Sequence, residues 1–198
     1  MGFDLYGLNP NFKNKKPSID WDKNPTKEEQ EKFFADYNKW EKENPGHYFR
    51  NNVWWWRPLA DFVLWLADEE FTEEERKRWH DNGGFKVSEK KANIIADLLE
   101  MAIEKGMANK MEEENKRKMA IAKEHNKKVE EKHKELRKIV EEKTNKKNLA
   151  PMNYPEPFKS QWDDIQKMTN YDSHYPFSVD NVKEFIIFCR ASGGFEIC

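Results

Sequence analysis

The stretch His47-Tyr48-Phe49-Arg50-Asn51-Asn52-Val53-Trp54-Trp55-Trp56-Arg57-Pro58-Leu59 concentrates side chains able to recognise a planar, charged ligand. Indole and phenol faces stack on flat rings, and guanidinium forks grip phosphates or carboxylates through paired hydrogen bonds. Asn amides read donor and acceptor edges. With Asp61 and Trp65 just beyond, the candidate ligand-binding set is His47, Tyr48, Arg50, Asn51, Asn52, Trp54, Arg57, Asp61 and Trp65. This is the vocabulary of a site for a nucleotide-like molecule. A tryptophan cluster is nevertheless commoner as hydrophobic core, and Arg50 and Arg57 could pair with acids of a neighbouring helix. From the sequence both readings stand.

Other chemistries find less support. Cys189 and Cys198 form no C-x-x-C pair, and His47, His80, His125, His133 and His174 are scattered, so no zinc-like ligand set is spaced along the chain. Glycine-rich phosphate loops, G-x-S-x-G and H-E-x-x-H are lacking. Cys189, the one thiol that His47 or His174 could activate, falls on the apolar side of its helix, where a small buried thiol is the usual occupant. Asp4, Asp61 and Asp172 are the carboxylates set among aromatics, where desolvation can raise a pKa. The expectation is a binding protein without metal or cofactor, more readily than an enzyme.

The elements that must position these residues are mostly helical. Charged residues make up 36% of the 198-residue chain and aromatics 14%, which fits a compact aromatic head carrying a solvated, charged extension. Residues 103–148 hold 15 Lys/Arg against 10 Asp/Glu, so the extension is mildly basic and the head acidic. The signs interleave as on a solvated helix laced with ion pairs, not as on a basic face for nucleic acid. No run of about 18 apolar residues suggests a membrane span, and the opening residues do not read as a signal peptide.

Thr26-x-x-Glu29 and Thr72-x-x-Glu75 read as capping boxes, and Ser88 and Ser178 as further N-caps. Phe33, Phe34, Tyr37 and Trp40 share one side of the first helix, expected to pack on the helix after the central stretch. In that second helix Trp55, Leu59, Phe62 and Leu66, flanked by Trp56, Ala60, Val63 and Ala67, make a core-wide face. Trp54 and Trp65 fall outside it. Pro58 belongs in a first turn, which predicts regular helix from about Arg57. From Met107 to about Thr144 a long helix is expected. Ala122, Val129 and Leu136 on it lie seven apart, too few heptads to establish a coiled coil. At about 1.5 Å per residue the helix outreaches a compact domain, so an arm that projects or pairs with a second copy is expected. Gly2–Gly7 and Phe195–Cys198 read as strands that pair and close the head.

Three segments resemble a group of short proteins of tailed bacteriophages: Met1-Gly2-Phe3-Asp4-Leu5-Tyr6-Gly7, the central Tyr48–Leu59 motif, and Asn181–Phe185 with Ser192-Gly193-Gly194-Phe195-Glu196-Ile197-Cys198. The resemblance implies a phage accessory protein in the cytoplasm of the bacterial host and carries no catalytic residues with it. By analogy with accessory proteins that counter host defence, it implies as target a small-molecule immune signal or a host protein.

The expected fold is therefore mainly α. A helical head of residues 1–106 and 145–198, with a two-stranded β element from the termini, carries an inserted charged helical arm at 107–144. The expected function is sequestration of a nucleotide-like molecule without catalysis. The alternative is a protein–protein module acting through the arm or an aromatic patch. Homo-oligomerisation through the arm is a further expectation; membrane and nucleic-acid partners are not expected.

Overall fold

The computed structural model describes residues 2–198. Among these, seven α-helices and four β-strands form in the order β1 (Gly2–Gly7), α1 (Lys27–Glu43), β2 (Tyr48–Asn52), α2 (Val53–Leu66), α3 (Glu73–Arg78), β3 (Phe85–Ser88), α4 (Glu89–Glu104), α5 (Met107–Thr144), α6 (Phe158–Lys167), α7 (Val179–Ala191) and β4 (Gly194–Ile197). The fold is mainly α, and the termini pair as expected, with Leu5 opposite Ile197. The sheet, however, has four antiparallel strands, not two, in the order β2-β1-β4-β3. Both extra strands are four or five residues long and each runs straight into a helix through its cap. Local periodicity has little room to show in so few residues.

The chain divides into two compact units. The first comprises the residues up to Glu112 together with Phe177–Cys198, and the second is Glu113–Pro176. In the first, one sheet face is buried and supplies Phe3, Leu5, Phe49, Val87, Phe195 and Ile197 to the core. Against it lie Trp56, Phe62 and Val63 of α2, Ile95 and Leu99 of α4, and Val182, Phe185 and Phe188 of α7. Arg190 ties α7 to α4 through Asp97 and, at 2.7 Å, Glu100. The predicted caps all form: Thr26 and Thr72 close full capping boxes, Ser88 accepts from the Lys91 amide, and Ser178 from the Asn181 amide.

Two local expectations are corrected. α2 begins at Val53, before the tryptophan run, because Asn52 Oδ1 accepts from the amides of Trp54 and Trp55 at 3.0 and 3.1 Å. That cap satisfies two donors of the first turn, and Pro58 is carried inside the helix. Burial of Trp56, Leu59 and Ala60 on either side offsets the hydrogen bond that proline cannot donate. The aromatic side of α1, in turn, meets the preceding segment. Trp40 is buried, packs on Phe12 at 5.2 Å, and donates its indole N–H to the Asn14 carbonyl at 3.0 Å. Phe33 and Phe34 meet Trp21.

In the second unit the seam of α5 is covered by its own chain. Ala122, Val129, Leu136 and Val140 are buried, the last two packed with Tyr154, Leu149, Phe158, Trp162 and Ile165. His133 stacks on Trp162 with centroids 3.9 Å apart. Residues 145–176, expected in the head, thus belong to the unit built on α5 up to Pro176. The heptad spacing marks a buried stripe, and an intramolecular partner fills it. Lys and Glu on α5 pair at i,i+4, as Lys118–Glu114 and Lys134–Glu130 do at 2.9 and 2.8 Å, and at i,i+3, as Lys127–Glu124 does at 2.9 Å. Among the described residues no helix is long and apolar enough to cross a membrane.

Candidate functional site

Strand alternation sorts the candidate residues before any helix is considered. In the β1–β2 pair Asp4 stands opposite Arg50, and Tyr6 opposite Tyr48, on the sheet face that does not enter the core. The Tyr48 hydroxyl donates to Asp4 Oδ1, and Arg50 Nε lies 3.4 Å from the same oxygen. Tyr6 and Tyr48 are in ring contact at 5.2 Å. Partial burial, reinforced by the Asp4 hydrogen bond and charge, raises the Tyr48 phenol well above its ordinary value. It remains a donor at neutral pH. Cys198 exchanges two backbone hydrogen bonds with Asp4, and its thiol is raised by burial, then by Glu196 and Asp4. Complete burial raises Cys189 as well. Each of these shifts favours the protonated form, the poorer nucleophile.

His47 lies at the start of β2 but turns toward α1. Its ring meets Trp40 edge-on at 4.9 Å and Phe12 at 5.8 Å, and its Nε2 is 3.3 Å from Lys16 Nζ. Burial and the Lys16 charge lower its pKa. Asn51 donates to Asn181 of α7 at 3.0 Å, and Asn52 is spent as the α2 cap. These asparagines hold elements together.

The remaining four candidates share one face of α2. Trp54, Arg57, Asp61 and Trp65 are all exposed, whereas Trp56, Leu59, Ala60, Phe62 and Val63 are buried. At 100° per residue the four fall within an arc of roughly 80°, and Trp54 and Trp65 are separated by about 16 Å along the axis. Trp65 leaves 59% of its surface in solvent and Trp54 38%. Asp61 Oδ1 lies 3.3 Å from Nε2 of His80, which follows α3. Two indoles are thus held in water beside one cation and one anion. No protein family model, curated protein or solved structure matches this chain.

The structure therefore separates the nine candidates into a sheet pair, an α1 contact, two tethering asparagines and an α2 stripe. Sequence reasoning overlooked Tyr6 and His80. Tyr6 meets Tyr48 through the register of β1 with β2, and His80 reaches Asp61 only through the tertiary fold. Among the described residues no group of three or more His, Cys, Asp or Glu side chains is arranged to hold a metal ion.

Proposed function

We propose that this chain is a non-catalytic binding protein that docks a partner protein on the outer stripe of α2. The supporting observation is the pair of exposed indoles, Trp54 and Trp65, flanking Arg57 and Asp61 on one helix face whose other sides are core. Tryptophan and arginine dominate the energetics of protein interfaces, and exposed apolar surface rimmed by charge marks docking sites. The spacing favours an extended partner surface over a single small ring. Two indoles about 16 Å apart cannot close on one base, because a stacked sandwich needs faces roughly 7 Å apart. Arg57 and Asp61 set the register with an acidic and a basic group of the partner. The resemblance to short tailed-phage proteins supports a bacterial host protein as that partner.

The test is site-specific photo-crosslinking in bacterial extract, with the probe at position 65 or on the outer face of α5 at position 131. One discrete adduct from position 65, lost in a Trp54→Ala background and absent from 131, is the expected result. Equal, diffuse labelling from both positions would remove the stripe from consideration.

A second reading keeps the nucleotide-like ligand. Trp54 and Arg57 lie one turn apart, close enough for one indole to stack on a base while the guanidinium meets its phosphate. This reading supports sequestration of a signal molecule and gives a different readout. Heat-denatured protein, previously incubated with extract of defence-activated cells, releases an intact nucleotide at near-stoichiometric yield. A chemically altered nucleotide would instead indicate turnover.

A further inference from the structure

The second unit contains a cleft of about 430 Å³ between α5 and the segment that folds back along it, lined in part by Lys123, Lys127, Gln166, Thr169, Ser173 and His174. None of the sheet or α2 candidates contributes to it. Two of these side chains are cationic; the Ser173 hydroxyl donates to the Asn170 carbonyl at 3.1 Å, and Gln166 Nε2 faces Thr169 Oγ1 and the Tyr171 hydroxyl at 3.4 Å each. The carboxylate in the lining, Glu130, pairs with Lys134 at 2.8 Å. Lys127 shares its charge with Glu124 at 2.9 Å. Lys123 forms no ion pair among the described residues.

The rim is built, not draped. Asn126 Nδ2 donates to the Asn170 carbonyl at 2.8 Å and to Ser173 Oγ at 3.0 Å, while its Oδ1 accepts from the Asn170 amide at 2.9 Å. His125 Nε2 lies 2.7 Å from the carbonyl oxygen of Met168, two residues before Asn170. Four contacts thus pin residues 168–173 to α5 and fix where Thr169, Ser173 and His174 present their polar atoms. Ser173 Oγ and His174 Nδ1 are 3.2 Å apart, so the two are placed as a pair. Positive charge and a pre-set rim match the needs of an oxygen-rich anion. The volume lies in the range of small-ligand sites and leaves room for an organic group beyond the anion.

We infer that this cleft binds a small oxyanion, the phosphate group of a free or esterified phosphate. Lys123 and Lys127 supply charge, and Thr169 and His174 supply polar atoms on a rim that Ser173 helps to fix by donating to the Asn170 carbonyl at 3.1 Å. The inference is independent of the α2 stripe.

The full chain is titrated with inorganic phosphate and, separately, with a nucleoside monophosphate, while amide NMR shifts of residues 123–127 and 166–174 are followed. Saturable shifts with a Kd of about 1 mM or tighter are expected for at least one of the two. Equal affinities identify the anion alone as the ligand; tighter binding of the monophosphate identifies an esterified phosphate. Lys123→Ala weakens binding about tenfold, the loss of one charge-assisted hydrogen bond, because its exposed side chain leaves the fold intact. Lys118→Ala, which removes the same charge from α5 outside the lining, leaves affinity unchanged. Shifts that stay linear with both ligands, or equal weakening by the two variants, would overturn the site in favour of diffuse attraction.

Discussion

Trp56 and Trp79 stack in the core with ring centroids 5.7 Å apart and planes 6° from parallel, and the Trp56 indole N–H donates to the Trp79 carbonyl at 2.7 Å. Both rings are fully buried. The middle of the chain thus divides its tryptophans: Trp56 turns inward, Trp54 outward, and Trp55 is half-buried between them. Core and exposed surface coexist within one helical turn.

That division is measurable. Trp56→Ala removes a buried ring, its stacking contact with Trp79 and a buried hydrogen bond, and is expected to cost about 3–5 kcal/mol. Trp54→Ala and Trp65→Ala should each stay within about 1 kcal/mol of the parent, because water already reaches those rings. Urea denaturation followed by far-UV circular dichroism separates the two classes. A large loss from Trp65→Ala would mean that the stripe is structural.

Much of this arrangement can be read locally, and the rest cannot. The caps at Thr26, Thr72, Ser88 and Ser178 are legible because each accepts from the amide three residues on. The exposure of Trp65 follows from helical period, whereas that of Trp54 depends on the Asn52 cap that brings it into α2. The start of α2 was obscured by Pro58, whose preference for a first turn competes with the Asn52 cap; the cap and the burial of Trp56 prevail. The seven-residue spacing of Ala122, Val129 and Leu136 shows that a stripe is buried but not by what, because periodicity is blind to the partner. The cleft of the second unit was invisible for the same reason. Lys123 and Ser173 lie fifty residues apart and share a wall only after folding.

A second prediction concerns alkaline pH. Tyr48, whose phenol is raised from 10.0 by burial and then by Asp4, favours its neutral form in the folded state. Tyr37 is raised from 10.0 in the same direction, by burial and then Glu41. A group with a folded pKa above its unfolded value contributes stability that is fully present below the unfolded pKa. That contribution is lost as pH rises from there through the folded value. Stability should therefore fall above about pH 10, and Tyr48→Phe should flatten the fall. The check is the urea midpoint at steps from about pH 8.5 to pH 11. Parallel slopes for parent and variant would show that Tyr48 does not carry the effect.

The glycines at the edge of the sheet support a third. A Cβ on Gly46 would lie 2.0 Å from the Ala191 carbonyl oxygen, and one on Gly7 would lie 2.1 Å from the Gly46 carbonyl oxygen. Backbone stands against backbone here, so no side chain can swing aside. Gly46→Ala should force the turn before β2 away from the end of α7, at a cost of about 1–3 kcal/mol or more. Gly106→Ala meets nothing within 4 Å but has φ +69, so its penalty is conformational alone. Gly46→Ala should be the more damaging of the two in thermal melts, and the reverse order would contradict the close approach.

Asn126 tests how the second unit is held. Its side chain makes three hydrogen bonds to Asn170 and Ser173, and replacing it by alanine removes all three together. The buried stripe of Val129, Leu136 and Val140 is untouched by that change, so α5 and α6 should stay paired. The expected consequence is local opening of the 168–174 segment, worth about 1–3 kcal/mol. Amide hydrogen exchange reads this directly: protection should drop at Asn170 and Asp172 while residues 132–140 keep theirs. Phosphate affinity in the cleft should fall alongside, because Thr169, Ser173 and His174 lose their fixed positions. Uniform loss of protection along α5 would instead make Asn126 part of the global stability of the unit. The clamp would then be a folding contact and not a positioning one.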